Sequence, residues 1–215
     1  MGIITISRGS YSRGIEIAEK LSKKLGYECI SREVLLKASK DFNVPEAELQ
    51  NAIHDAPSVF DRIKDGKKNY VSFIREAFLD HIQRDNIIYH GYAGHFFTKE
   101  LPNILKVRII ANMDFRIKVI MEREHISEEE ARKSLYKIDI ERRKWSVYLY
   151  GIDTNVTELY DIVIHIDTID VDCAVDILYD MAKRPCFQTT PELLKKLREL
   201  LDAAKVYSCK SNKVC

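Results

Sequence analysis

The sequence predicts an α/β fold, a five-stranded parallel sheet with helices on both faces. Three observations predict it. Short apolar, β-branched runs recur at 3–6, 27–30, 86–91, 106–111 and 161–166. Helical periodicity fills the gaps, so the strands are joined by crossovers, as parallel strands require. The first run leads into a turn rich in Gly, Ser and Arg that opens a helix.

Ile3-Ile4-Thr5-Ile6 reads as a buried strand, and Ile17, Ala18, Leu21 and Leu25 recur at helical spacing before Gly26, a helix C-cap. Between them lies Arg8-Gly9-Ser10-Tyr11-Ser12-Arg13-Gly14-Ile15. A loop in this place aims backbone N–H groups and the positive end of a helix at an anion. Gly9 and Gly14 have the spacing of the phosphate-binding pattern G-x-x-x-x-G-K-[ST], but Ile15 and Glu16 stand where Lys and Ser/Thr belong. Arg13 and Arg8 are the substitutes for the missing charge. An ordinary strand–turn–helix with solvated arginines is the competing reading of this stretch.

Tyr27 to Ile30 is a second strand, and Ser31-Arg32-Glu33 opens a helix through Val34, Leu35 and Leu36. Asn43, Pro45 and Glu46 form a helix start within a charged, turn-rich excursion over 43–70. Val71, Phe73, Ile74, Ala77, Phe78 and Ile82 mark an amphipathic helix with Arg75, Glu76 and Asp80 on a solvated face. The third strand ends in Gly91-Tyr92-Ala93-Gly94-His95, a glycine-rich turn where open α/β sheets place ligands. His95 reads as a polar residue at a helix start rather than a base. Lys106 to Ala111 is nearly all apolar, as a central strand covered on both faces should be. A helix follows over 114–124.

Ser127-Glu128-Glu129-Glu130 is a capping box that opens a charge-dense helix to about Leu149. That helix mixes cations with Trp145, Tyr148 and Tyr150, the composition of a lid closing over a phosphorylated ligand. After the fifth strand come a helix from Val171 and a last helix from Thr190 to about Val206, with a loose tail from Ser208. The site belongs at the C-terminal strand ends, around 7–14, 31–33, 91–95 and 132–153.

The 215 residues carry 34 basic and 33 acidic side chains, a net charge of +1, so bulk electrostatics draw the chain to neither nucleic acid nor an anionic membrane. Hydrophobic residues at 46% and charged residues at 31% describe a globular protein. No run is long enough to span a membrane, and residues 1–20 lack the apolar segment of a signal peptide. The five cysteines have no metal-ligand spacing; reduced thiols in a cytoplasmic protein are expected.

Over about residues 3–183 the chain resembles the cytidylate kinase-like branch of the P-loop nucleoside monophosphate kinases. The resemblance rests on Ile4-Thr5-Ile6-Ser7-Arg8, Ile17-Ala18, Leu25-Gly26, Gly91, Ala111, Arg116 and Met121-Glu122-Arg123-Glu124. It rests further on Ser127 to Arg132, Asp139-x-x-Arg142 and Tyr160-Asp161-Ile162-Val163-Ile164. It implies transfer of the γ-phosphoryl group of ATP to CMP or dCMP with Mg²⁺, small nucleotides being the partners. It also implies a kinase-type domain over 1–185. Within that domain the core is 1–42, 81–125 and 155–185, the acceptor-side insertion 43–80 and the lid 126–154, with 186–215 a C-terminal helix and tail.

On this resemblance Arg13 serves in the loop, and Arg132, Arg142 and Arg143 come down from the lid. Asp139 orients an arginine or orders Mg²⁺ through water. Arg75 contacts the acceptor phosphate, and Arg32, Gly91 and Tyr92 line the acceptor site. Three departures stand out. The loop lysine is absent, the Gly-Arg-Asp after the third strand reads Gly91-Tyr92-Ala93, and Ser31 replaces an aspartate after the second strand. A nucleotide-binding regulatory protein with little turnover, and a kinase for another small acceptor, are the alternative expectations.

Overall fold

A computed structural model describes residues 1–42, 66–91 and 94–212. The strands are β1 (Ile3–Arg8), β2 (Glu28–Ile30), β3 (Ile87–His90), β4 (Ile104–Ala111) and β5 (Ile162–Ile166). They pair in the order β2-β3-β1-β4-β5, every pair parallel. Placing β1 centrally puts the loop that follows it above the middle of the sheet.

The helices are α1 (Gly14–Leu25), α2 (Arg32–Phe42), α3 (Gly66–Ile82), α4 (Gly94–Phe97), α5 (Met113–Glu124), α6 (Glu128–Tyr150), α7 (Val171–Ala182) and α8 (Pro191–Asn212). Strand alternation sorts the core into two layers. Ile4, Ile6, Val107 and Ile109 face α1 and α7, whereas Ile3, Ile104 and Tyr89 face the layer built by α2, α3, α8 and the end of α6. A third cluster, Ile117, Ile120, Ala131 and Leu135, joins α5 to α6, and Tyr11 of the loop packs on it.

Local signals explain the helix ends. Ser127 Oγ accepts from Glu130 N at 3.4 Å while the Glu130 carboxylate accepts from Ser127 N at 2.9 Å, the reciprocal pair expected of that spacing. Gly26 and Gly151 end α1 and α6 at φ 71° and 67°, left-handed values that cost glycine nothing.

Several expectations shift. The helix expected from Val71 starts at Gly66 and runs through the boundary drawn at residue 80. It is a core element: Phe73, Ala77, Phe78 and Leu79 are buried against α2 and α8. Its polar face is half-buried rather than solvated, and Asp80 meets Lys37 of α2 at 3.5 Å. The last helix continues to Asn212, past the expected loose tail, and Leu193, Leu197 and Leu201 anchor it to the same layer as α3. The aromatics of α6 also serve that layer: Trp145 and Leu149 are buried, and Tyr150 packs on Phe96, Phe97 and Trp145. The helix start at Asn43, Pro45 and Glu46 lies outside the described residues. Among the described residues no helix is long and apolar enough to cross a membrane.

Candidate active site

The loop after β1 is held from two directions. Arg116 of α5 is 8% exposed, and its guanidinium donates to Ser10 O at 2.7 Å, to Ser10 Oγ at 2.5 Å and to both oxygens of Asp139 at 2.8 Å. Ser10 Oγ donates in turn to Asp139 Oδ1 at 2.7 Å. From the next turn of α6, Arg142 donates to Arg8 O at 3.1 Å. Asp139 and Arg142 therefore act as a unit three residues apart on one helix face. Within the loop, Ser12 Oγ donates to Gly9 O and Ile109 O, and Gly9 N donates to Ile109 O at 2.9 Å. Gly14 has no room for a side chain, since a Cβ there would lie 2.7 Å from Arg8 Cβ.

Tyr11 and Arg13 have φ of 56° and 58°. Non-glycine residues pay about 1 kcal/mol or more for that conformation. Arg13 is also the residue before the first turn of α1, and no side chain caps that turn, so its N–H groups open on the loop.

Two cavities flank the loop. The inner one, about 180 Å³, lies between β1, β4 and α6 over the C-terminal strand ends. Arg8, Arg108, Arg116, Arg142 and Arg143 line it, with Asp139 the one carboxylate of its wall among the described residues. Trp145, His95, Asn155 and Gly91 are also in its wall. The outer one, about 560 Å³, runs along residues 8–16 to Arg123, Glu141 and Arg142. Its charge is mixed, because Glu16, Glu19 and Glu141 face it too.

Of the expected site residues, Arg8, Gly9, Ser10, Gly91, Asp139, Arg142 and Arg143 meet at the inner cavity. Tyr11, Ser12, Arg13, Gly14 and Ile15 line the outer one. Arg13 pairs with Glu16 at 2.7 Å and is 45% exposed, so its charge is already engaged. Arg143 pairs with Asp153 at 2.8 Å. Arg132 is not brought to either cavity: it lies on the outer surface with Glu128 at 3.2 Å and Asp114 at 3.7 Å. Arg75 sits half-buried on α3 and lines neither cavity. The Arg32 side chain and Tyr92 lie outside the described residues.

Sequence reasoning missed Arg108 and left Arg116 without a site role. Arg108 projects from β4 and donates to Ser7 Oγ at 2.8 Å and to Asn155 Oδ1 at 3.3 Å. Burial lowers its pKa, and Arg142 adds to that. The available signal was an arginine in the middle of a strand that otherwise reads as apolar. His95 is a buried member of the site: its Nε2 lies 3.2 Å from the Tyr160 hydroxyl, and burial followed by Arg108 pushes its pKa down to about 3, so it is neutral.

A profile of the cytidylate kinase-like family matches residues 3–168. The chain belongs to that family. The cytidylate kinase of Methanosarcina acetivorans is 32% identical over 164 residues, 75% of this chain and 85% of its own length. That of Sulfolobus acidocaldarius is 26% identical over 182 residues, 84% and 94% of the two chains. Among solved structures, a protein from Eubacterium ventriosum superposes with a TM-score of 0.63 at 21% identity, over 86% of this chain and 100% of its own. A shikimate kinase from Bacteroides thetaiotaomicron gives 0.50 at 10% identity, over 85% and 99%. These likenesses bear on the fold, a P-loop kinase α/β sheet.

The residues present fit the nucleotide and the Mg²⁺ that the family implies. The arginines of the inner cavity and the open N–H groups of the loop would meet the phosphates. Among the described residues Asp139 Oδ2 accepts from Arg116 alone and keeps lone pairs for a metal-bound water. Mg²⁺ takes only one or two protein carboxylates when substrate phosphates supply the rest.

Proposed function

We propose that this protein transfers the γ-phosphoryl group of ATP to a nucleoside monophosphate, with CMP or dCMP as the acceptor. The observation that supports it is the inner cavity, where guanidinium groups from β4, α5 and α6 converge beside the loop. Phosphoryl transfer asks little covalent chemistry of a protein and much fixed positive charge around the transferring oxygens. An oxygen of the acceptor phosphate attacks the γ-phosphorus, the bond to the β-phosphate oxygen breaks, and ADP leaves with a nucleoside diphosphate formed. Arg142 and Arg8 face the transferring oxygens, and Arg116 with Asp139 holds Ser10 and the loop in register. Asp139 would hold Mg²⁺ through a water, and the ion would supply neutralising charge to the ATP phosphates. The relatives named cytidylate kinases support a cytidine acceptor.

One specific observation favours a second reading, nucleotide binding with little turnover. Glu16 and Ile15 stand where a hydroxyl and a lysine are expected, and Glu16 draws Arg13 away. ADP release from Mg-ATP, measured with CMP, dCMP, UMP, AMP and no acceptor, separates the two. Release that depends on a cytidine nucleotide supports the kinase. Micromolar ATP binding without release under any acceptor leaves the binding protein, and release with another acceptor alone moves the substrate.

A further inference from the structure

Arg108 occupies an unusual place. Its strand neighbours Val107 and Ile109 are fully buried in the layer against α1 and α7, so alternation sends Arg108 to the opposite face, next to Ser7 on β1. Its partners are neutral oxygens, Ser7 Oγ and Asn155 Oδ1, together with the Tyr160 ring 5.9 Å from its Cζ. The other charged groups of this face are matched differently: Arg116 by Asp139, Arg143 by Asp153 and Lys106 by Asp161 at 3.6 Å. Asp139 and Asp153 act on the half-buried Arg108 only through space, and among the described residues no carboxylate is hydrogen-bonded to it. A guanidinium partly taken out of water without an anion in direct contact is costly. The cavity it faces holds about 180 Å³, roughly six water volumes in the liquid. That suits a phosphate group with a few waters and is below the ~300 Å³ that a whole organic ligand takes.

We propose that Arg108 is the base of a phosphate-monoester site in the inner cavity and that it makes the protein select an acceptor already carrying a phosphate. Assigning that phosphate to the acceptor rests on the phosphoryl-transfer reading; the binding of phosphate at Arg108 does not. The planar guanidinium matches a phosphate in two-point contact, and its orientation is set by its surroundings. Ser7 Oγ and Asn155 Oδ1 fix two of its nitrogens. Ser7 is itself hydrogen-bonded by Tyr160 at 3.3 Å, whose hydroxyl also reaches Thr154 O at 2.9 Å. His95 on the far side of Tyr160 is neutral and adds no competing charge. A nucleoside without a phosphate leaves the half-buried Arg108 with no anion in direct contact, and sites built on a charged partner reject ligands that lack it.

Trp145, the one tryptophan of the chain, lines this cavity, so its emission reads occupancy. Inorganic phosphate, CMP, ATP and cytidine are titrated into the full chain, following that emission and the melting temperature. Phosphate and CMP are expected to change the emission and raise the melting temperature by mass action, and cytidine to do neither. Arg108→Gln is expected to weaken phosphate and CMP about tenfold to a hundredfold and to abolish the phosphate-dependent rise in melting temperature, with Arg108→Lys between the two. A merely structural Arg108 would lower the melting temperature on substitution and leave the phosphate increment intact. That result, or equal binding of cytidine and CMP by the wild type, overturns the proposal. Loss of ATP affinity with CMP affinity kept overturns the acceptor assignment. Phosphate binding at Arg108 without any turnover sustains the site while removing the kinase reading. Turnover in Arg108→Gln with an unchanged KM for the acceptor sinks the site and leaves the reaction standing.

Discussion

On the outer side of the loop, Arg13 leans on Glu16, Ile15 is 37% exposed and three carboxylates share the wall. On the inner side, Arg108, Arg116 and Arg142 reach residues 7–10 from three different elements, and Asp139 is the one acid of the wall among the described residues. The outer side carries the recognisable glycine spacing and lacks its charge. The inner side has no contiguous motif and holds most of the positive charge. The difference teaches that positive charge can be gathered beside a loop from a strand and two helices without the cation usual in that loop, because charge acts through space and not along the chain.

Among substitutions, the largest effect that would test this contrast is expected from Asp139→Ala. It strips Arg116, which is nearly buried, of its carboxylate and releases Ser10. Removing one partner of a buried pair costs about 3 kcal/mol; Asp139 is 38% exposed, so about 2 kcal/mol is expected in denaturant unfolding, together with a loss of turnover of ~10²-fold or more. An unchanged unfolding midpoint would mean that the clamp contributes nothing. Next comes a paired comparison of turnover. Arg142→Ala is expected to lower kcat by ~10²-fold, the cost of one preorganised electrostatic group. Arg13→Ala is expected to cost less than about tenfold, since an exposed pair with Glu16 is worth under about 1 kcal/mol. Equal losses would erase the distinction between the two sides.

A separate effect is a pH dependence of stability carried by two histidines at the C-terminal end of β3 and the start of α4. Burial pushes His95 down to about 3, and His90, buried beside Arg8, to about 4. Both folded pKa values lie below the ordinary value near 6.5, so the unfolded chain binds the extra protons. Stability from these two groups is complete above pH 6.5 and is lost as pH falls through 6 and 5 toward 4. The expected slope is up to about 1.4 kcal/mol per pH unit for each histidine. Melting temperatures from pH 7 to 5 check it, and His95→Gln should flatten the curve.

Five parallel strands and several helix ends are legible in the sequence. Those signals are local: an apolar β-branched run, Ser127 three residues before Glu130, Gly26 and Gly151 just past a helical stripe. It also placed Asp139 and Arg142 together, because three residues on a helix share a face. What it could not determine is which of many arginines points inward. Arg132 and Arg142 are both lid arginines at the sequence level, yet the α5–α6 packing through Ile117, Ile120, Ala131 and Leu135 leaves Arg132 outside with Glu128 and brings Arg142 onto the loop. Arg108 was hidden for the same reason: its partners Ser7 and Asn155 are 101 and 47 residues away. Likewise α3 and α8, which touch only once the chain has folded, became one core layer. Periodicity reports which face of an element is buried; only the docking of elements against one another decides what that face meets.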